Sequence, residues 1–183
     1  MLTGRTILIV ITGGIAAYKA LEVIRLIKKS GASVRAILTA GGEKFITPLS
    51  VATLSEHTCY TDLWSLKDET EMGHIRLSRE ADVILVAPAS ANILAKMTHG
   101  IADDLAATTL LASDKPVIAC PAMNPMMWTH PATQDNIATL KRRGVTMIGP
   151  VTGDTACGET GMGRMAEPED ILAFLTTYMG SRP

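Results

Sequence analysis

The chain is poor in cysteine. Cys59, Cys120 and Cys157 are far apart among 183 residues, odd in number, and form no C-x-x-C pair. This excludes a disulfide framework and fits reduced thiols, so a cytoplasmic protein is expected. Neither sign of charge is in excess: 17 basic residues stand against 18 acidic, a net charge of −1. That balance gives no electrostatic reason to expect nucleic acid or an anionic membrane as partner. The four histidines are scattered, so no metal site is visible. No apolar run is long enough to span a bilayer. One arginine, Arg5, before an apolar run that breaks at Gly13-Gly14 is a poor secretory signal. There is no internal repeat and no linker.

What is present is a sequence 47% apolar, long enough for one domain with a full core. Strand-like and helix-like segments alternate. Thr6–Ile11, Val34–Leu38, Asp82–Ala87, Pro116–Cys120 and Val145–Ile148 are short apolar, largely β-branched runs. Between and after them, Ile15–Ser30, a segment from about Ser90, Asp103–Ala112, Thr133–Arg143 and Pro168–Tyr178 read as helices. Near-continuous apolar strands are buried on both faces, and alternation with helices implies right-handed crossovers. The expectation is one α/β domain over residues 1–183, a Rossmann-like three-layer sandwich around a parallel sheet. Gly149–Met165 is the one segment of low regularity.

Several motifs stand out from this pattern. Thr12-Gly13-Gly14-Ile15 lies where the first strand turns into the first helix, where it could cradle a phosphate or simply form a tight turn. The second strand ends Ile37-Leu38-Thr39-Ala40, with no carboxylate until Glu43, which argues against NAD. Pro88-Ala89-Ser90-Ala91-Asn92 puts another hydroxyl at a helix start, as an N-cap or as a ligand group. Two such turns facing each other across a sheet would suit one flat mononucleotide. Pro121-Ala122-Met123-Asn124-Pro125-Met126-Met127-Trp128 follows a strand end, where α/β domains place ligand groups; Asn124 is also a natural turn former. Ala156–Met165 surrounds Cys157 with glycines, either a lid closing over substrate or a surface loop. Arg164 either grips an anion or is solvated. His74, near a helix start, reads as a surface, capping or functional residue. Cys120, ending an apolar strand, reads as a small hydrophobe.

These residues resemble the flavin-dependent cysteine decarboxylases, and within that family the members acting on phosphopantothenoylcysteine. The matching stretches are Gly13–Lys19, Gly73-His74-Ile75, Pro88–Asn92, Pro121–Trp128, His130–Gln134 and Ala156–Met165, in the family's order. The resemblance implies FMN held by Gly13, Gly14, Ile15, Thr39, Ser90, Asn92 and Ala122, in a trimer or a dodecamer. It implies His74 as the active-site base and Asn124 as the binder of the substrate carboxylate. Cys157 would be the proton donor on a clamp spanning about 151–165, with Met127, Ala156, Gly158 and Arg164 also touching substrate. The implied reaction is FMN-dependent oxidative decarboxylation of 4′-phosphopantothenoylcysteine to 4′-phosphopantetheine in coenzyme A biosynthesis. Relatives often continue into a phosphopantothenate–cysteine ligase domain, so the chain could be one half of a bifunctional enzyme. Two departures stand near His74: Arg76 where the family often has Glu, and Glu80 where Trp is frequent. A peptidyl-cysteine decarboxylase, or a non-catalytic relative acting as a regulatory subunit, would share much of this pattern.

Overall fold

The computed structural model describes residues 2–63, 73–154 and 158–181, with the backbone alone for residues 73 and 74. Its main sheet has six parallel strands in the order β3-β2-β1-β4-β5-β6. These are β1 (Thr6–Ile11), β2 (Ser33–Leu38), β3 (Cys59–Tyr60), β4 (Val83–Ala89), β5 (Val117–Pro121) and β6 (Thr146–Met147). The strands β1 and β4 are buried almost throughout, as their continuous apolar runs require.

Alternate residues of these strands feed two cores. On one face Ile7, Ile9 and Ile11 of β1 pack with α1 (Ala17–Lys29), α2 (Pro48–Ser55) and α8 (Pro168–Gly180). On the other, Leu8 and Val10 pack with α3 (Gly73–Glu80), α4 (Ala91–His99), α5 (Leu105–Leu111) and α7 (Pro131–Arg142). The result is the expected three-layer α/β sandwich. Among the described residues, no helix is long and apolar enough to cross a membrane.

The chain runs outward from β1 through β2 to β3, then returns to the other side of β1 for β4, β5 and β6. The order therefore reverses between β1 and β4. The following turns diverge there and leave a crevice at the carboxyl ends of the strands. Thr12-Gly13-Gly14 and Ser90 sit at this switch point, side by side on neighbouring strands and not facing each other across the sheet. The Thr12 hydroxyl donates to Pro88 O at 2.6 Å and accepts from the Ser90 N–H at 3.0 Å, tying the two turns together.

Gly149–Met165 is more regular than its glycines suggest. β7 (Val151–Asp154) and β8 (Thr160–Arg164) form an antiparallel hairpin. The hairpin docks on α6 (Pro125–Thr129) and the turn before it, where the Met123 N–H donates to Gly163 O at 2.9 Å. Gly163 is required at this contact: a Cβ there would lie 2.3 Å from Met123 O, and its φ of +157° disfavours L side chains. Gly163→Ala is expected to cost roughly 1–3 kcal/mol of docking stability, as overpacking does. Hydrogen exchange should then be faster across 151–164 than in the main sheet; unchanged exchange would mean the contact relaxes without cost.

Candidate active site

Two cavities, about 410 and about 750 Å³, open at the switch point and share Gly13, Ser90, Ala91 and Met127 in their walls. The smaller also takes in Gly14, Ile15, Ala122, Asn124 and Arg164. The larger takes in Thr39 and Asn92. Ten residues selected from sequence, far apart in the chain, thus converge on one cleft. Gly158 is exposed and lines neither cavity. His74 stands in the first turn of α3, with its side chain outside the described residues. Ala156 and Cys157 also lie outside them.

The two switch-point turns differ chemically. α4 is internally capped: the Ser90 hydroxyl accepts from the Ile93 N–H at 3.4 Å. α1 has no side-chain cap and no acidic residue in its first turn. Its ladder begins with Ala17 N–H donating to Gly14 O, so the N–H groups just ahead of it face out of the helix start. That open, positive end beside the cleft suits a phosphate. The two glycines also divide their work. Gly13 is packed backbone to backbone, since a Cβ there would meet Gly41 at 3.0 Å, whereas a Cβ on Gly14 would meet nothing within 4 Å. Gly13 is therefore part of the tight turn, and Gly14 leaves its space to a ligand. The apolar remainder of the smaller cavity's wall, with Ala122, Met123 and Met127, fits a flat conjugated ring.

Asn124 is the N-cap of α6. The Met126 N–H donates to its Oδ1 at 2.7 Å, which fixes the amide's orientation. Its Nδ2 is thereby turned outward and donates to Glu159 Oε2 at 2.6 Å. The turn-former and ligand-group readings of Asn124 are compatible: the oxygen makes the turn, and the NH2 is offered to an acceptor.

Lys19 and Glu167 have no part in the sequence-based site, yet both shape it. Lys19 lines the smaller cavity with its side chain 7% exposed. It donates to Met165 O at 3.3 Å and to Glu167 Oε2 at 2.9 Å. Arg164 donates to the same carboxylate, at Oε1, across 2.6 Å. The hydrogen bond from Lys19 holds the Glu167 carboxyl below the ordinary glutamate range, against an opposing push from burial. Glu167 thus joins the first helix to the hairpin's last strand. A lysine beside the apolar stripe Ala17, Ala20, Ile24 and Ile27 was the available signal, since a buried cation needs a partner. In the larger cavity Lys96 is held by Asp103 and Asp104 at 2.6 and 2.7 Å. Burial pulls its ammonium down, but the hydrogen bonds to the two carboxylates win and raise it.

The remaining thiols behave as packing. Cys120 is fully buried in β5, and burial pushes its thiol far up. Burial, with the charge of Glu43, pushes Cys59 up to about 11. The two departures near His74 meet each other: Arg76 Nε lies 3.6 Å from Glu80 Oε1, an exposed i,i+4 pair on α3.

Comparison with known proteins agrees with this geometry. Residues 1–180 match the family described as Flavoprotein. The coenzyme A biosynthesis bifunctional protein CoaBC of Haemophilus influenzae is 44% identical over 181 residues, 99% of this chain. The chain spans 45% of that relative's length. A solved PPC decarboxylase variant complexed with pantothenoylaminoethenethiol superposes with a TM-score of 0.88 at 34% identity, covering 97% of this chain and 99% of that one. The FMN-binding protein AtHal3 superposes with a TM-score of 0.87 at 34% identity, covering 98% of each chain.

Proposed function

The chain belongs to the flavoprotein family, and from that membership we propose that it is an FMN-dependent decarboxylase of 4′-phosphopantothenoylcysteine, yielding 4′-phosphopantetheine for coenzyme A biosynthesis. The single observation that carries the reading is the oriented Asn124 amide, presented on the wall of a cavity that also contains the open start of α1. A carboxylate receptor beside a phosphate cradle is what this chemistry requires.

In this reading Gly14, Ile15 and the start of α1 hold the FMN phosphate, and Gly13 and Ser90 shape the turn beneath it. Thr39, Asn92 and Ala122 complete the cofactor site. Bound FMN supplies a reversible two-electron oxidation of the cysteine CH2–SH carbon, which gives the departing carboxylate's electrons a thiocarbonyl to enter. Asn124 holds that carboxylate through its NH2. His74 takes a proton as base, and Cys157 returns one to the decarboxylated enethiol. Met127 and Arg164 line the substrate's side of the cleft, with Ala156 and Gly158 from the clamp. The pantothenoylaminoethenethiol held by the decarboxylase neighbour is a decarboxylated, still unsaturated thiol, in keeping with reduction as the last step. A fused or separate phosphopantothenate–cysteine ligase would supply the substrate. The packing role of Cys120 and the high Cys59 thiol are compatible with a cytoplasmic setting.

The proposed assembly is a trimer or a dodecamer. Its support is the resemblance, together with the large apolar side chains Ile15, Tyr18, Phe45 and Leu49 left exposed. The protein should purify yellow, with one FMN per chain and no FAD. Native mass spectrometry reads both expectations, as a mass that is a multiple of three flavin-loaded chains. A protein that takes up no FMN and releases no CO2 from phosphopantothenoylcysteine would sink the enzymatic reading; a flavin-loaded monomer would sink the assembly.

A further inference from the structure

The Asn124 amide already has a carboxylate on it. The Met126 N–H claims Oδ1, so the amide cannot flip without losing a 2.7 Å hydrogen bond. What remains is the NH2, and it donates to the chain's own Glu159, 35 residues away, at 2.6 Å. Glu159 is exposed, so burial does not force this pairing. It is set by the hairpin. Met123 N–H to Gly163 O fixes the base of β8 on the Asn124 turn, and Gly161 lies against Pro125, where a Cβ would approach to 2.9 Å. Thr160 Oγ1 donates to Asp154 Oδ1 at 2.6 Å and closes the hairpin end beside Glu159. A group built to hold a ligand carboxylate is thus facing an internal one of the same chemistry.

We infer that Glu159 is an internal placeholder, occupying Asn124 until a ligand carboxylate replaces it. The inference rests on the reading of Asn124 as the carboxylate site. A ligand carboxylate joining Glu159 on the same NH2 would set two anions a few ångströms apart, which disfavours both. Exchange avoids that repulsion. It also keeps Asn124 satisfied and oriented in the empty enzyme. Only ligands bearing a carboxylate compete with Glu159, so the exchange lowers the substrate's affinity and leaves that of the decarboxylated product unchanged. The cost is affinity: a placeholder engaged about four-fifths of the time weakens carboxylate binding about five-fold.

The test uses the FMN-loaded protein and an unreactive matched pair. Phosphopantothenoyl-alanine keeps the carboxylate and lacks the thiol; its counterpart, the phosphopantothenoyl ethylamide, lacks both. Calorimetry should show Glu159→Gln binding the alanine ligand about five-fold more tightly than wild type, with the ethylamide unchanged. An alanine-ligand affinity that is unchanged or weaker, or an equal shift for both ligands, would overturn the placeholder and leave Glu159 a clamp residue. Should neither ligand bind the wild-type protein, the substrate reading fails, and the side-chain amide resonances of Asn124 decide the placeholder separately. They should move upfield in Glu159→Gln as the charged acceptor is lost; resonances that stay in place overturn it.

Discussion

Replacing His74 with asparagine is expected to lower turnover by about 10²–10⁴-fold, the usual worth of a positioned acid–base group. Asparagine approximates the imidazole's size and hydrogen-bonding reach but cannot take a proton at neutral pH. FMN content should stay at one per chain, because the proposed cofactor residues follow β1, β2, β4 and β5 and do not lie on α3. The fold should also persist, since α3 is anchored by buried Leu77 and Ser78. Mixed anaerobically with phosphopantothenoylcysteine, the variant should release CO2 and perturb the visible flavin absorbance more slowly than wild type by that same factor. KM should move little if His74 acts in the transition state alone. Turnover within a few-fold of wild type would return His74 to a capping or surface role.

The fold was readable where burial dictates sequence. Strands β1 and β4 are covered on both faces, so their apolar runs could hardly be other elements, and Gly31 and Gly144 end the helices before β2 and β6 with positive φ. Legibility failed where elements are short or held from outside. α2 carries a start signal, Thr47 then Pro48, with the Thr47 hydroxyl accepting from the Ser50 N–H. Yet it is eight residues long and has Val51 and Ser55 inward with Leu49 76% exposed, so it shows no apolar stripe. β3 has only two residues, paired to Ala36 and Ile37 at the sheet's edge. The β7–β8 hairpin has glycine at positions 153, 161 and 163, which intrinsic strand preference disfavours. Docking on Pro125 and Met123 demands the last two, and that demand comes from a segment far upstream in the chain.

The site was legible for a topological reason. Motifs following β1, β4 and β5 must come together, because those strands are neighbours and ligands gather beyond their carboxyl ends. Thr39 joins them because β2 is also a neighbour of β1. The roles of Lys19, Glu159 and Glu167 were harder to find. Each acts through a pairing between distant segments: periodicity marks Lys19 as a buried cation but does not name its partner. Ser90 illustrates the limit of a motif. It lines the cleft, but its hydroxyl caps its own helix, and the open helix start belongs to the glycine turn beside it.

Cys157→Ser is expected to divide the proposed reaction and so gives the sharpest test of order. Oxidation and loss of CO2 need a base, an electron acceptor and a held carboxylate, and none of these is Cys157. The last step needs an acid to protonate the enethiol carbon as the electrons return. A thiol with a reference pKa of about 8.5 can serve; a serine hydroxyl is far weaker. The variant should therefore release CO2 at first and then discharge an enethiol two hydrogens lighter than phosphopantetheine, measurable by mass spectrometry. Under air the flavin left reduced would reoxidise, so lighter product should accumulate over many turnovers. In a closed anaerobic vessel it should stop at one equivalent per active site. Oxygen dependence of this kind separates a lost proton donor from a merely slowed enzyme. Normal product at the wild-type rate would remove Cys157 from the mechanism. No CO2 at all, with FMN still bound, would place it earlier, in substrate capture by the hairpin that carries Glu159 to Asn124.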